Sequence, residues 1–266
     1  MGTSWATFRA QYEVGSRSGS GVDEASLTAI GEHPEMRHYD VADRTRNRFA
    51  GQIDLVPNDA WLFSVSAGVL HDDFDESVFG LQESTGNTFS IGADYHLSNG
   101  AGVGGTYNFE KYTGLQQSHE GDSSTAQFND PLRNWTSDAK EAVHYFSIYA
   151  TPPRIGRNTE VRFSYDFSDA RATNLYTIPA GSPITPPNQL PEVFNKLQQL
   201  HIDARHRLTK SLAASFSYLY EPLKIYDYAF DPSVVNGIAQ PSSLVLGYVY
   251  RPYTANSFVF GLRYIW

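Results

Sequence analysis

The fold class this 266-residue sequence predicts is an all-β, antiparallel transmembrane barrel of the outer-membrane kind, with about ten strands in the chain. Three observations carry that reading. Apolar residues recur at every second position through stretch after stretch, the period of a strand with one greasy face. Aromatics are abundant, with 17 Tyr and 16 Phe. Short and long connections alternate along the chain, as they do where turns lie on one side of a membrane and loops on the other. No run of 18 apolar residues exists, so a transmembrane helix is not expected.

The first strand sets Ala6, Phe8, Ala10, Tyr12 and Val14 against Thr7, Arg9, Gln11 and Glu13. "NRFAGQIDLV" repeats the design with Phe49, Gly51, Ile53 and Leu55 against Arg48, Ala50, Gln52 and Asp54. After "PND", the stretch "AWLFSVSAGVL" opposes Trp61, Phe63, Val65, Ala67 and Val69 to Ser64, Ser66 and Gly68. "NTFSIGADYHL" sets Phe89, Ile91, Ala93, Tyr95 and Leu97 against Ser90, Asp94 and His96. Beyond "SNG", the next apolar face is Val103, Gly105, Tyr107 and Phe109. "AVHYFSIYA" is a strand of ambiguous facing, because both faces are largely apolar.

"TEVRFSYDFS" opposes Val161, Phe163, Tyr165 and Phe167 to Glu160, Arg162, Ser164 and Asp166. "LHIDARHRL" sets Leu200, Ile202, Ala204 and Leu208 against His201, Asp203, Arg205 and Arg207. A tight "TK" leads to Leu212, Ala214, Phe216, Tyr218 and Tyr220. The last strand carries Phe258, Phe260, Leu262, Tyr264 and Trp266 on one face, with Arg263 on the other. An aromatic at the carboxyl terminus is what a barrel-assembly machine recognises, so these five residues read as an assembly signal, with the terminus at the periplasmic rim.

The short connections are "PND", "SNG", "PPRIGRN" and "TK"; the long polar excursions span roughly residues 15–46, 71–87, 113–140, 169–197 and 222–254. Strands of about ten residues and an even count fit the same class. Lipid offers no hydrogen bonds, so every backbone group must pair with a neighbouring strand and the sheet is expected to close. A soluble sandwich ending on a paired edge strand is the competing architecture.

Composition removes several functions. Cys is absent, so the chain has no disulfide, no thiolate metal site and no C-x-x-C-H haem attachment. A net charge of -9 argues against nucleic acid. "MGTSWATFRAQYEV" has neither the basic start nor the apolar core of a signal peptide. "HDDFDES" gathers Asp72, Asp73, Asp75 and Glu76, which reads as a solvated acidic loop or as a calcium site lacking the glycine of an EF-hand. His201 and His206 fall on opposite faces of one strand, a poor arrangement for joint metal ligands. No nucleophile–base arrangement stands out, and no enzymatic activity is expected.

Charges of both signs mark the inner faces: Arg9, Glu13, Arg48, Asp54, Asp94, Glu110, Glu160, Arg162, Asp166, Asp203, Arg205, Arg207 and Arg263. Mixed charge of this kind suits either a hydrated channel or a polar wall paired across strands.

Six segments taken in order add a family resemblance. They are "RHYDVADRTRNR", "HDDFDESVFGLQES", "NWTSDAKEAVHYF", "LPEVFNKLQQLHIDARHRLTKSLAASFSYLYE", "YDYAFDP" and "LVLGYVYRPYTANSFVFGLRYIW". From about Arg37 to Trp266 the chain resembles the carboxyl-terminal part of the MtrB/PioB family of outer-membrane barrels associated with decahaem cytochromes. That resemblance implies a sheath in the Gram-negative envelope. It would enclose a periplasmic multihaem c-type cytochrome, dock an extracellular one, and insulate electron transfer from lipid, with the haem carried by the partner. Family barrels are longer, so the chain is expected to be either the terminal portion of a larger barrel or a reduced relative. A general porin is the alternative function, and a structural or adhesive barrel working through its loops is a third.

Overall fold

The computed structural model describes residues 5–264 apart from 20, 75–76, 122–124, 157, 185–189 and 229–251. Among the described residues, eleven strands make one sheet: β1 (Ala6–Arg17), β2 (Met36–Arg37), β3 (Arg44–Asn58), β4 (Trp61–Asp73), β5 (Phe79–His96), β6 (Gly102–His119), β7 (Asn134–Thr151), β8 (Thr159–Thr177), β9 (Val193–Arg207), β10 (Leu212–Tyr226) and β11 (Tyr253–Tyr264). Apart from β2, each strand pairs antiparallel with its neighbours in chain order, from β1 through β3 to β11. The up-and-down path is the one alternation and short turns dictate.

Register fixes the facing. Phe8, Ile53, Val65, Ile91, Tyr107, Phe146 and Phe167 stand opposite one another across seven strands, on one side of the sheet. Ile202, Tyr218 and Phe258 continue that side across β9 to β11. Every apolar set read from the sequence therefore joins one face. The pairing also settles β7: Phe146 and Ile148 belong to the apolar side, opposite Tyr107 and Gly105, while Tyr145 and Tyr149 belong to the other.

Phe8 lies at the start of β1, whereas its row partner Phe167 lies well inside β8. The apolar band thus slides along successive strands relative to the paired rows, as it must when tilted strands cross a level membrane. Trp61 stacks on Phe63 with ring centroids 5.2 Å apart and meets Tyr95 at 4.4 Å, near the short-turn end of the band. Aromatic girdles occupy that level in outer-membrane barrels.

The apolar face has no cover. Among the described residues, the buried apolar set is only Ala6, Ala42, Phe74, Phe79 and Ala213, while Phe260 is 78% exposed. A soluble sandwich would bury one face against a second sheet about 10 Å away. A single bare sheet wants lipid instead.

Two expectations need correction. Strands run well past ten residues, up to 19 in β8, about 60 Å at roughly 3.3 Å per residue. Three of the polar excursions are largely strand: 71–87 is strand up to Asp73 and again from Phe79, and 113–140 and 169–197 are strand at both ends. These extensions stand beyond the hydrocarbon, so both faces are polar and the alternation that marks a lipid-facing strand is absent. The second correction is closure. β1 and β11 are the ends of the path and, among the described residues, do not pair with each other. The sheet is an open section of barrel wall.

The outer connections before β3 and after β6 pack together. Helix α1 (Glu24–Ala29) starts at Asp23, whose carboxylate accepts from the Ala25 and Ser26 amides and the Ser26 hydroxyl. Those hydrogen bonds, the Ser26 hydroxyl first, hold the Asp23 carboxyl below the usual range. β2 then pairs parallel with Phe79 and Gly80. Gly80 has φ +119, and a Cβ there would lie 2.1 Å from the Arg37 carbonyl, so only glycine admits the strand. His33 Nε2 reaches the Phe128 carbonyl at 3.1 Å and His119 Nε2 the Gln127 carbonyl at 2.8 Å, which ties the two connections into one cap.

Candidate partner-contacting wall

The side of the sheet opposite the apolar band is built from small hydroxyl residues and charges. One paired row reads Arg9, Gln52, Ser66, Ser90, Asn108, Tyr145 and Ser168; the next reads Thr7, Asp54, Ser64, Gly92, Thr106, Ser147 and Asp166. The thirteen charged residues read as inward-facing, from Arg9 to Arg263, fall on this face. Arg9 bonds Asp54 at 3.2 Å, and Gln52 donates to the same carboxylate at 2.9 and 3.0 Å. Arg48 approaches Glu13 at 3.9 Å, Tyr112 donates to Glu110 at 3.0 Å, and Tyr145 donates to Asp166 at 2.6 Å.

Three residues from distant parts of the sequence meet at one point. Asp94 of β5, Gly104 of β6 and Tyr149 of β7 share a row. The Tyr149 hydroxyl crosses above Gly104 and donates to Asp94 Oδ1 at 2.6 Å. The crossing needs the glycine, since a Cβ on Gly104 would lie 2.1 Å from that oxygen and 2.6 Å from the Tyr149 ring. Arg162 of β8 sits over the same ring, 4.2 Å from its centroid. Asp94 and Arg162 are thereby linked through a tyrosine the sequence did not single out. Asp203, opposite Arg162, accepts from the Ser217 hydroxyl at 2.5 Å.

Arg205, Arg207 and Arg263 gather at the short-turn end, where Arg207 and Arg263 both flank Ala213. None forms an ion pair among the described residues; Glu160, opposite Arg205, is taken by Arg154 at 2.7 Å. Beside them a depression of about 480 Å³ is lined by Arg154, Glu160, Arg162, Asp203 and Arg205. A larger one, about 720 Å³, lies between Arg9, Arg48, Gln52 and Thr88 over Gly68 and Gly86. Both are shallow and open, suited to a large partner or hydrated ions rather than an enclosed small molecule.

The acidic stretch behaves as a structural anchor where it is described. Asp72 takes a two-pronged bond from Arg46, 2.7 Å to each oxygen, which fixes β3 to β4 at their outer ends. Asp75 and Glu76 lie outside the described residues. Among those described, no three His, Asp or Glu are placed to hold a metal ion. Phe258, Phe260, Leu262 and Tyr264 of the assembly signal lie on the apolar face, opposite Tyr218, Phe216, Ala214 and Leu212; Trp266 is outside the described residues.

Comparison with known proteins agrees with this geometry. Residues 2–266 match the family described as "Putative outer membrane beta-barrel porin, MtrB/PioB". Outer membrane protein MtrB of Shewanella baltica (strain OS185) is 23% identical over 246 residues, covering 89% of this chain and 33% of that protein. The chain thus spans about a third of that relative's length. Among solved structures, the copper transporter OprC superposes with a TM-score of 0.55 at 8% identity, over 98% of this chain and 38% of OprC. The ferric-catecholate import receptor Fiu of E. coli K12 gives 0.50 at 11% identity, over 98% and 47%. At such identities these two speak for fold alone, a section of outer-membrane barrel wall. The protein is located in the outer membrane, and on the match along nearly its whole length the chain belongs to the MtrB/PioB family of outer-membrane β-barrels.

Proposed function

We propose that the chain forms part of a sheath that holds a periplasmic multihaem c-type cytochrome within the outer membrane and insulates electron transfer across it. The carrying observation is the inner wall, where small hydroxyl residues leave room and unpaired Arg205, Arg207 and Arg263 offer positive charge at the short-turn end. In this reading the short turns face the periplasm and the arginines meet the acidic surface of an entering cytochrome. Complementary charge there sets orientation and encounter rate more than affinity. The haem belongs to the partner, in keeping with a chain that has no Cys. A strand path that ends at β1 and β11 without closing among the described residues, and a relative about three times as long, support a wider barrel to which these strands contribute one section.

Porin-like conduction is the second reading, favoured by the family description and by a wall whose charges are of both signs. The two separate in one comparison. The barrel to which these strands contribute is expressed with and without a multihaem cytochrome encoded beside it, and co-purified haem and planar-bilayer conductance are measured. A sheath retains the cytochrome and conducts poorly when loaded, and reversing Arg205, Arg207 and Arg263 to Glu lowers retention about tenfold or more. An open channel indifferent to the cytochrome would overturn the sheath. Labelling of cysteine at Glu120 but not at Asn58 on intact cells tests the orientation.

A further inference from the structure

The lysines of this chain are Lys111, Lys140, Lys196, Lys210 and Lys224. Lys210 lies in the short turn between β9 and β10. The other four share the face of the apolar band, beyond its outer edge. Lys111 is the next outward position after Phe109, and Arg171 lies two such positions after Phe167. Lys111, Ala142 and Arg171 form one paired row; Lys140 lies one outward position further along β7, and Lys196 and Lys224 oppose each other one outward position nearer the band. Each of five neighbouring strands, β6 to β10, therefore offers one cation at the same level. The inner wall uses arginine instead.

Fixed carboxylates answer only part of this charge. Lys140 bonds Asp138 at 2.7 Å, Lys196 bonds Asp169 at 3.1 Å, and Arg171 bonds Asp169 and Glu192, each at 3.1 Å. Lys111 and Lys224 are exposed and make no ion pair among the described residues. Lys196 and Lys224 are directly opposed and alike in charge, and among the described residues Asp169 pairs with Lys196 but not with Lys224. Tyr107, Phe109, Phe146, Phe167, Leu200 and Tyr220 lie below on the same face.

We infer that this outward band docks the phosphorylated headgroup of an outer-leaflet lipid, whose acyl chains lie on the aromatic face beneath. Charge complementarity and continuity with the lipid-facing band both point to that occupant. Lysine suits the position because its stem covers apolar surface while the ammonium reaches the headgroup level. The inference rests on the long connections facing outward, which cysteine labelling at Glu120 tests separately.

The test uses the barrel to which these strands contribute, reconstituted in phosphatidylethanolamine vesicles carrying bisphosphorylated lipid A, or the same lipid with both phosphates removed. Lipid retained per chain after detergent extraction is measured, with heat-resistant gel migration reporting folding. The native chain is expected to retain the phosphorylated form, less so at high salt. Lys111→Gln with Lys224→Gln lowers retention about tenfold or more, at roughly 1 kcal/mol per cation near an anionic surface. Lys111→Arg with Lys224→Arg keeps it, and Lys210→Gln, which removes a cation at the other end, leaves it unchanged. Equal retention of the dephosphorylated lipid, no loss in the Gln double variant, or displacement by inorganic phosphate would each overturn the assignment. A chain that passes this test yet labels at Asn58 rather than Glu120 would refute the orientation and leave headgroup binding intact.

Discussion

The two faces of this sheet share every backbone hydrogen bond and differ in all else. Outward, Phe, Tyr, Val, Ile and Leu form a bare band that no other part of the described molecule covers. Its stability comes from lipid, because the same surface in water would carry an unfavourable hydrophobic term of about 25 cal/mol per Å². Inward, the same strands carry Ser, Thr, Asn and charges that answer one another across two or three strands. These bonds are partly open to water, so each adds little to stability. One face is fixed by its solvent and the other by its geometry, and substitutions should divide accordingly.

The largest expected effect lies outward. Phe163 stands between Ala150 and Ile202, and Phe216 meets the Phe260 ring at 5.2 Å. Arg at either position should cost roughly 2–4 kcal/mol if it lies near the bilayer midplane. Ser164 and Ser215 are their immediate inward neighbours, and Arg there should be tolerated. Reversible urea unfolding in lipid vesicles measures all four. Equal sensitivity on both faces would end the assignment of one face to lipid.

A middle-sized effect sharpens the contrast with two glycines. Gly51 is outward, and a Cβ there has only the Arg9 carbonyl near it, at 3.9 Å. Gly51→Ala should be neutral or stabilise by about 0.4–1 kcal/mol, since alanine restricts the unfolded chain. Gly104 is inward, and its Cβ would expel the Tyr149 ring from the Asp94 crossing. Gly104→Ala should therefore destabilise by about 1–3 kcal/mol through local overpacking. The same substitution should thus change sign between the faces when both variants are unfolded in urea.

Residues such as these mark how far the sequence could be read. Period-two alternation located every membrane-crossing strand and the facing of all but β7, because lipid contact writes a strong pattern. Its longest omissions as strand are 79–86, 111–119, 134–141, 169–177 and 193–199, since water on both sides removes the contrast that alternation needs. Asp94 and Arg162 could be assigned to the inner face residue by residue. Their link through Tyr149 could not, because it depends on the register of four strands and on a glycine between two of them. Tyr149 looked apolar in a strand whose faces were ambiguous, and only its row reveals a polar role.

The smallest effect tests that linkage. Tyr149→Phe keeps the ring under Arg162 and removes only the hydroxyl that donates to Asp94. With water able to reach the freed carboxylate, the loss should be about 1 kcal/mol, below the range for a fully buried hydrogen bond to a charged group. Tyr149→Leu also removes the ring and should cost a further 0.5–1 kcal/mol or so at a part-exposed site. If the bond is the source of the first loss, combining Tyr149→Phe with Asp94→Ala should cost less than the two separate losses added together. Strict additivity would mean that the hydroxyl and the carboxylate act independently. In that case Gly104 would be needed for the tyrosine ring alone, and the inner wall would be organised by packing rather than by polar bonds spanning several strands.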